Sequence, residues 1–167
     1  MHTTWIACLL LTALASCSAD PKSLTDAGYA NLGKGQNEAA LSEFEQALAE
    51  IGSDTTDPNW LRAAIGSCQA RAHVDAKRAK EEFLALARTQ PGRIVEGDFS
   101  LMANEFLRVD TTESRMEAIK LMEAGKMMFP ESPKLHAIGN AVYTSASRAK
   151  DDAVLKELSG LGYTGGQ

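Results

Sequence analysis

Cys68 and His73 are the side chains in this sequence best suited to nucleophilic chemistry, because a thiolate attacks most readily when an imidazole lies within hydrogen-bonding reach. Residues five positions apart on a helix point about 140° apart around its axis, so this pair is poorly placed within one helix. His136 stands far along the chain, and neither histidine has a partner at zinc-ligand spacing. The pattern favours a buried structural thiol and packing or surface histidines over a catalytic or zinc site.

Methionines form the second group that could carry chemistry. Thioethers bind Cu(I), but they also fill irregular gaps between helices, and core filling is the favoured interpretation. The group consists of Met102, Met116, Met122, Met127 and Met128. No cofactor is predicted and no metal ligands are assigned. An enzyme, or a ligand or metal carrier, that uses Cys68, His73 or these methionines is kept as the alternative function.

The overall composition is that of one ordinary folded domain. The chain has 167 residues, a formal net charge of −5 and 44% apolar residues. A net negative charge repels the phosphate backbone of nucleic acids, and the sequence has no cluster of Lys and Arg interleaved with aromatic residues that would override this repulsion. We therefore expect no nucleic-acid partner.

The N-terminal segment is typical of an export signal. Its apolar core runs from Trp5 to Leu14, which is too short to span a bilayer but suits a signal peptide over residues 1–16. Leu14-Ala15-Ser16-Cys17 resembles the lipobox of bacterial lipoproteins. The resemblance implies cleavage before Cys17, lipidation of that cysteine and a short tether over residues 17–22. An ordinary cleavage after Ala13-Leu14-Ala15, giving a secreted or periplasmic soluble protein, is the alternative.

Lipidation would leave a single thiol in the mature chain. Cys8 lies in the leader and Cys17 would be acylated, so only Cys68 would remain and no intramolecular disulfide could form. Among bacterial lipoproteins, a residue like Ser18 directly after the lipidated cysteine permits export to the outer membrane. The resemblance therefore implies a protein anchored in the outer membrane and facing the periplasm.

A repeat pattern organises the rest of the chain. Small and large apolar residues recur with a step of 39 residues, in three triads: Ala40, Phe44 and Ala47; Ala79, Phe83 and Leu86; Ala118, Met122 and Gly125. Other helical stretches alternate with these triads, namely Leu24 to Leu32, Trp60 to His73, Phe99 to Val109 and Leu135 to Ser145. No strand-like alternation is present, so the sequence predicts an all-α fold built from antiparallel helix pairs.

These triads resemble the second helix of the tetratricopeptide repeat (TPR), which places Ala, an aromatic residue and Ala at this spacing, followed by Pro. The resemblance covers residues 23–160, ends with a capping helix at Asp151 to Leu158, and leaves residues 161–167 as a flexible tail. It implies three to four repeats in a short right-handed superhelix. Its first helices would line a groove for a partner. The groove positions carried over from the family are Tyr29, Arg71, Asn104, Arg108, His136, Asn140 and Tyr143.

Together these patterns favour a scaffold over an enzyme. The prediction is a non-catalytic adaptor of the bacterial cell envelope, anchored through Cys17, that binds a protein or peptide partner and assists assembly of an envelope complex. Helical repeat arrays bind partners along extended surfaces that neighbouring repeats build together.

Overall fold

The computed structural model of the protein describes residues 20–164, which form eight helices and no strand. The helices are α1 (Pro21–Gly33), α2 (Asn37–Ile51), α3 (Pro58–Arg71), α4 (Ala76–Thr89), α5 (Glu96–Val109), α6 (Thr112–Met128), α7 (Pro133–Ala149) and α8 (Asp152–Gly160). The predicted all-α class is confirmed for the described residues, and α8 lies where the sequence predicted the last helix. The predicted signal peptide, Cys17 and the last three residues lie outside the described residues.

Side-chain caps explain where most of the helices begin. Asp20 accepts a hydrogen bond from the Ser23 backbone N–H at 3.1 Å, and Pro21 occupies the first turn, where its missing N–H costs nothing. Asp57, Asp75, Ser132 and Asp151 cap α3, α4, α7 and α8 in the same way. Thr111 and Ser114 form a reciprocal capping box at the start of α6.

The first cap corrects one predicted boundary. The sequence suggested a tether over residues 17–22 and a domain beginning at residue 23. Asp20 caps α1, and Pro21 and Lys22 already lie inside that helix. The folded domain therefore already includes Asp20, Pro21 and Lys22, because an Asp followed by Pro is a helix start rather than a spacer.

The helices contact one another in two rows. In the first row α1 contacts α3, α3 contacts α5, and α5 contacts α7. In the second row α4 contacts α6, and α6 contacts α8. Each first-row helix also contacts the helix that follows it in the sequence. Four helix pairs thus stack side by side, and the first row presents one face of the stack.

A small apolar cluster holds α1, α2 and α3 together. This N-terminal cluster consists of Leu24, Ala40, Phe44, Ala47, Ala63 and Ala70. The Phe44 ring lies directly against two glycines: a Cβ atom at Gly28 would fall 2.7 Å from the ring, and one at Gly66 would also overlap it. One aromatic ring therefore fills the space between two first-row helices that approach closely through small residues.

A larger cluster runs from α3 to the end of the described chain. It begins at Cys68 and ends at Tyr163, and it contains most of the large buried side chains. Phe83 and Phe99 meet edge to face with ring centroids 5.1 Å apart, and Phe99 meets Phe129 at 5.9 Å. These contacts tie α4 to α5 and α5 to the end of α6.

The C-terminal segment corrects a second boundary, since residues 161–167 were expected to form a flexible tail. Tyr163 is only 4% exposed, and its ring lies against Gly139 on α7, where any Cβ atom would overlap it. The Lys126 ammonium lies 4.7 Å from the centre of the same ring. The fold therefore extends at least to Tyr163, which covers the exposed side of the last pair.

Candidate functional site

The first helix row carries a groove with a volume of about 660 Å³. One stripe from each of three helices lines it, together with the loop before α5. The lining residues are Tyr29, Leu32 and Gly33 of α1, Pro58, Leu61, Arg62, Ile65 and Gln69 of α3, Arg93 and Val95 of the loop, and Asp98, Leu101, Glu105 and Arg108 of α5. Spacings of three and four residues along α3 and α5 place these side chains on one helix face. We call this surface the α1/α3/α5 groove.

The floor of the α1/α3/α5 groove is apolar and partly open to solvent. Leu101 is 51% exposed and Val95 is 50% exposed, and both lie beside the half-buried Leu61 and Ile65. Scattered exposed apolar residues are ordinary, whereas apolar side chains gathered in a concave surface are typical of a binding site.

One rim of the groove is built by Tyr29 and Arg62. The Tyr29 hydroxyl donates a hydrogen bond to the Arg62 backbone oxygen at 2.9 Å, and the Arg62 guanidinium lies 5.3 Å from the centre of the Tyr29 ring. Arg62 also pairs with Asp26 at 3.1 Å. Burial raises the pKa of Tyr29, so its hydroxyl stays protonated and able to donate at neutral pH.

The opposite end holds a buried carboxylate. Glu105 is 5% exposed, and one of its oxygens lies 3.1 Å from His73 Nε2 while the other accepts from Arg108 Nη1 at 2.8 Å. His73 follows α3, so this contact joins α3 to α5 across the stack. Glu105 is therefore held by two partners rather than left free to act on a ligand.

Gln69 is the polar side chain of the groove without such a partner. It is 6% exposed, and its amide makes no hydrogen bond to any residue within 20–164. The side-chain nitrogen and oxygen of Gln69 are not fully buried, so water in the open groove can satisfy them. Gln69 is therefore an open donor and acceptor at the groove.

Of the groove residues predicted from the TPR resemblance, Tyr29 and Arg108 line the α1/α3/α5 groove. Asn104 lies on α5 near Arg108, but its side chain is exposed outside the lining. The structure thus brings together two of the predicted residues, one from α1 and one from α5.

Arg71 lies on the other side of α3. It is buried, its guanidinium donates to a Glu45 oxygen on α2, and its Nε lies 2.7 Å from Glu82 on α4. Gln69, two residues earlier, faces the groove, since two residues correspond to about 200° around a helix. Arg71 therefore joins three helices instead of facing a partner, which corrects the predicted register on α3.

The three predicted residues on α7 lie away from the α1/α3/α5 groove. The ring of His136 lies 5.2 Å from that of Tyr163, and Tyr143 packs against the larger cluster. Asn140 is exposed, and its backbone oxygen accepts from the Thr144 hydroxyl. The returning C-terminal segment covers part of this face, an arrangement that the repeat pattern did not indicate.

Cys68 is a buried residue of the larger cluster. It is 4% exposed, and burial raises the pKa of its thiol to about 12, so the thiolate is scarcely populated at neutral pH. His73 pairs with Glu105 instead. These placements agree with the prediction of a structural thiol.

The methionines do not share one environment. Met102 and Met122 are fully buried in the larger cluster, whereas Met127 is 88% exposed and Met128 is 41% exposed. In the described part of the chain, no group of three His, Cys, Asp or Glu side chains is placed to hold a metal ion. None of the helices between residues 20 and 164 has the length and apolar character needed to cross a membrane.

Several groove residues were missed from the sequence. Gln69, Arg93, Glu105 and the apolar Leu61, Ile65 and Leu101 were not singled out, because the groove positions came from a family register. Pro58, Leu61, Ile65 and Gln69 recur at spacings of three and four residues along α3. Because the alanines of α3 occupy a different, buried face, this spacing indicated a second functional face on the helix, the one that lines the groove.

Comparison of the chain with protein-family models, with curated proteins and with solved structures finds no match.

Proposed function

We propose that this protein is a non-catalytic scaffold that holds a segment of a partner protein in the α1/α3/α5 groove. The observation that carries the proposal is the combination of an apolar floor with half-exposed Leu101 and the unpartnered amide of Gln69. Apolar pockets for side chains and a few polar groups for the backbone are what an extended or helical peptide requires.

The arrangement of the helices supports a TPR-like superhelix as the scaffold. First-row helices that contact one another in sequence order, with a second row behind them, form an elongated array with a continuous face. Small residues at Gly28 and Gly66 permit close contact between α1, α2 and α3, as the repeat pattern requires.

The groove is tested by a matched pair of surface substitutions. A random decapeptide library displayed on phage is selected against the full-length chain in mild detergent, and the enriched peptides are synthesised and titrated. We expect Leu101→Lys to weaken binding at least tenfold, because a charged side chain would occupy the apolar floor. Met127→Lys makes the same change on an exposed residue of α6 and should bind as the wild type does.

Circular dichroism checks that both variants keep their helices. Equal peptide affinity for Leu101→Lys and wild type would contradict the proposal, because the apolar floor would then play no part in binding.

The proposed location is the cell envelope, with the protein anchored through Cys17. With Asp20 capping α1, only Ser18 and Ala19 would separate an acylated Cys17 from the cap, so the domain would lie close to the membrane surface. We expect Cys17→Ala to release the protein from isolated envelopes and to remove the lipid mass from its N-terminus. Cys68→Ala is the control and should stay anchored. Full retention of Cys17→Ala in the membrane fraction would contradict the anchor.

A further inference from the structure

The cations of the α1/α3/α5 groove differ in their partners. Arg62 pairs with Asp26 at 3.1 Å, and Arg108 pairs with Glu105 at 2.8 Å, so each of these charges already has a carboxylate. These pairs occupy the Arg62 and Arg108 guanidinium groups. Two of the three arginines in the groove lining are thus each paired with a carboxylate.

Arg93 is the arginine of the groove without a carboxylate. Its Nη1 donates to the Thr55 backbone oxygen at 2.7 Å and to the Gln90 side-chain oxygen at 3.0 Å, both of which are neutral acceptors. No Asp or Glu in the described residues forms a salt bridge with it. These contacts join the α2–α3 loop to the α4–α5 loop and hold the guanidinium at the groove.

Neither carboxylate of the lining forms a salt bridge with Arg93. Asp98 accepts a hydrogen bond from the Val95 backbone N–H at 2.8 Å, and Glu105 is shared by His73 and Arg108. The lining contains three arginines and two carboxylates, within a chain whose formal charge is −5. Because Asp26 balances Arg62 and Glu105 balances Arg108, the lining is not cationic overall, and Arg93 is its one exposed arginine without a carboxylate.

We propose that the occupant of the α1/α3/α5 groove is a partner segment in which an Asp or Glu lies beside apolar residues. This inference rests on the proposed function. The apolar side chains cover Leu61, Ile65 and Leu101, and the carboxylate binds the Arg93 guanidinium, whose planar fork suits a carboxylate. The Gln69 amide pairs with a backbone peptide group of the segment, which satisfies its open donor and acceptor.

The test uses peptides selected from the random decapeptide library against the full-length chain. We expect the enriched peptides to carry Asp or Glu next to Leu, Ile, Val or Phe. A synthetic peptide and its Asp→Asn or Glu→Gln form are then titrated against wild type, Arg93→Gln and Arg88→Gln. Arg88 is an exposed arginine of α4 outside the groove, so its substitution makes the same charge change elsewhere.

For the acidic peptide, we expect Arg93→Gln to weaken binding about tenfold, as removal of a charge-assisted hydrogen bond does, and Arg88→Gln to have no effect. For the amide peptide, wild type and Arg93→Gln should bind equally. Equal losses for both peptides would overturn the inference, because Arg93 would then only hold the loops.

Other outcomes separate this inference from the proposed function. Enriched peptides without acidic residues overturn the acidic occupant and leave the groove as a peptide site. If the wild-type chain enriches no peptide more strongly than Leu101→Lys does, both the acidic occupant and the peptide-binding groove are overturned. A doubled mass by light scattering that Leu101→Lys returns to a monomer shows a second copy in the groove, and this also overturns the acidic-segment assignment.

Discussion

The N-terminal cluster and the larger cluster stabilise similar helix pairs in different ways. In the N-terminal cluster, alanines and glycines let α1, α2 and α3 approach closely, and Phe44 is its one large, fully buried side chain. The larger cluster contains Phe83, Phe99, Phe106 and several Ile, Leu and Met side chains that are also fully buried. The first arrangement depends on one ring, whereas the second distributes apolar contact over many residues.

The clusters also differ in their polar groups. The larger cluster is flanked by the Arg115 guanidinium, which lies 2.9 Å from Asp151 and also binds Asp110 and Ser145. The N-terminal pairs carry the more exposed Asp26, which binds Lys22 and Arg62. Both ends of the stack contain a buried arginine, but the carboxylates that bind Arg71 are partly exposed, whereas Arg115 pairs with the buried carboxylate of Asp151.

The largest effect should follow from Phe44→Ala. Loss of a fully buried Phe costs about 3–5 kcal/mol, and Phe44 is the one large side chain that is fully buried in the N-terminal cluster. Hydrogen exchange should show lost protection in α1 and α2 while α5 to α7 keep theirs. Phe106→Ala, in the larger cluster, is the control and should weaken α5 to α7 first. Uniform loss in both variants would show that the clusters unfold as one unit.

Gly66→Ala should have the next largest effect. The new Cβ atom would overlap the Phe44 ring, and overpacking of this kind costs about 1–3 kcal/mol. Gly33→Ala is the matched control, because a Cβ atom there meets nothing within 4 Å. Urea unfolding should separate the two variants. Equal midpoints would show that Phe44 moves aside without cost, and the N-terminal cluster would then be less tightly packed than its geometry indicates.

The smallest effect concerns the loss of stability at low pH that protonation of Asp151 should cause. Burial alone would raise the pKa of Asp151, but hydrogen bonds from Thr112, Val154 and Arg115 outweigh it and hold that pKa below its ordinary value. The folded state therefore favours the charged carboxylate. This stabilisation is present above the unfolded pKa and is lost as the pH falls through the folded one.

We expect Asp151→Asn to lower stability by about 1 kcal/mol at pH 7 and the difference from wild type to narrow by pH 3. Asp26→Asn, on an exposed pair, should change stability less than Asp151→Asn does. Urea unfolding at both pH values measures the difference. If the difference in unfolding free energy between wild type and Asp151→Asn is the same at pH 7 and pH 3, the Asp151 charge does not stabilise the fold.

The fold was largely predictable from local patterns, whereas the site was only partly so. The Ala, Phe and Ala spacing around Phe44 and its equivalents marked the second helices, and Pro133 marked the start of α7. Predicting the groove residues requires knowing how α3 is rotated about its axis. The family register placed Arg71 on the groove face, which Gln69 occupies in the structure. Small errors of register matter here because one residue turns a side chain by about 100°.

The sequence by itself determined the helices, their caps and the small residues at their contacts, because these depend on neighbours within a few positions along the chain. Only the tertiary structure decided which side chains meet across helices. It placed Gln69 and Arg93 at one groove, turned Arg71 toward Glu45 and Glu82, and returned Tyr163 onto Gly139. Each of these contacts joins distant residues, so it depends on how whole helices pack rather than on any local pattern.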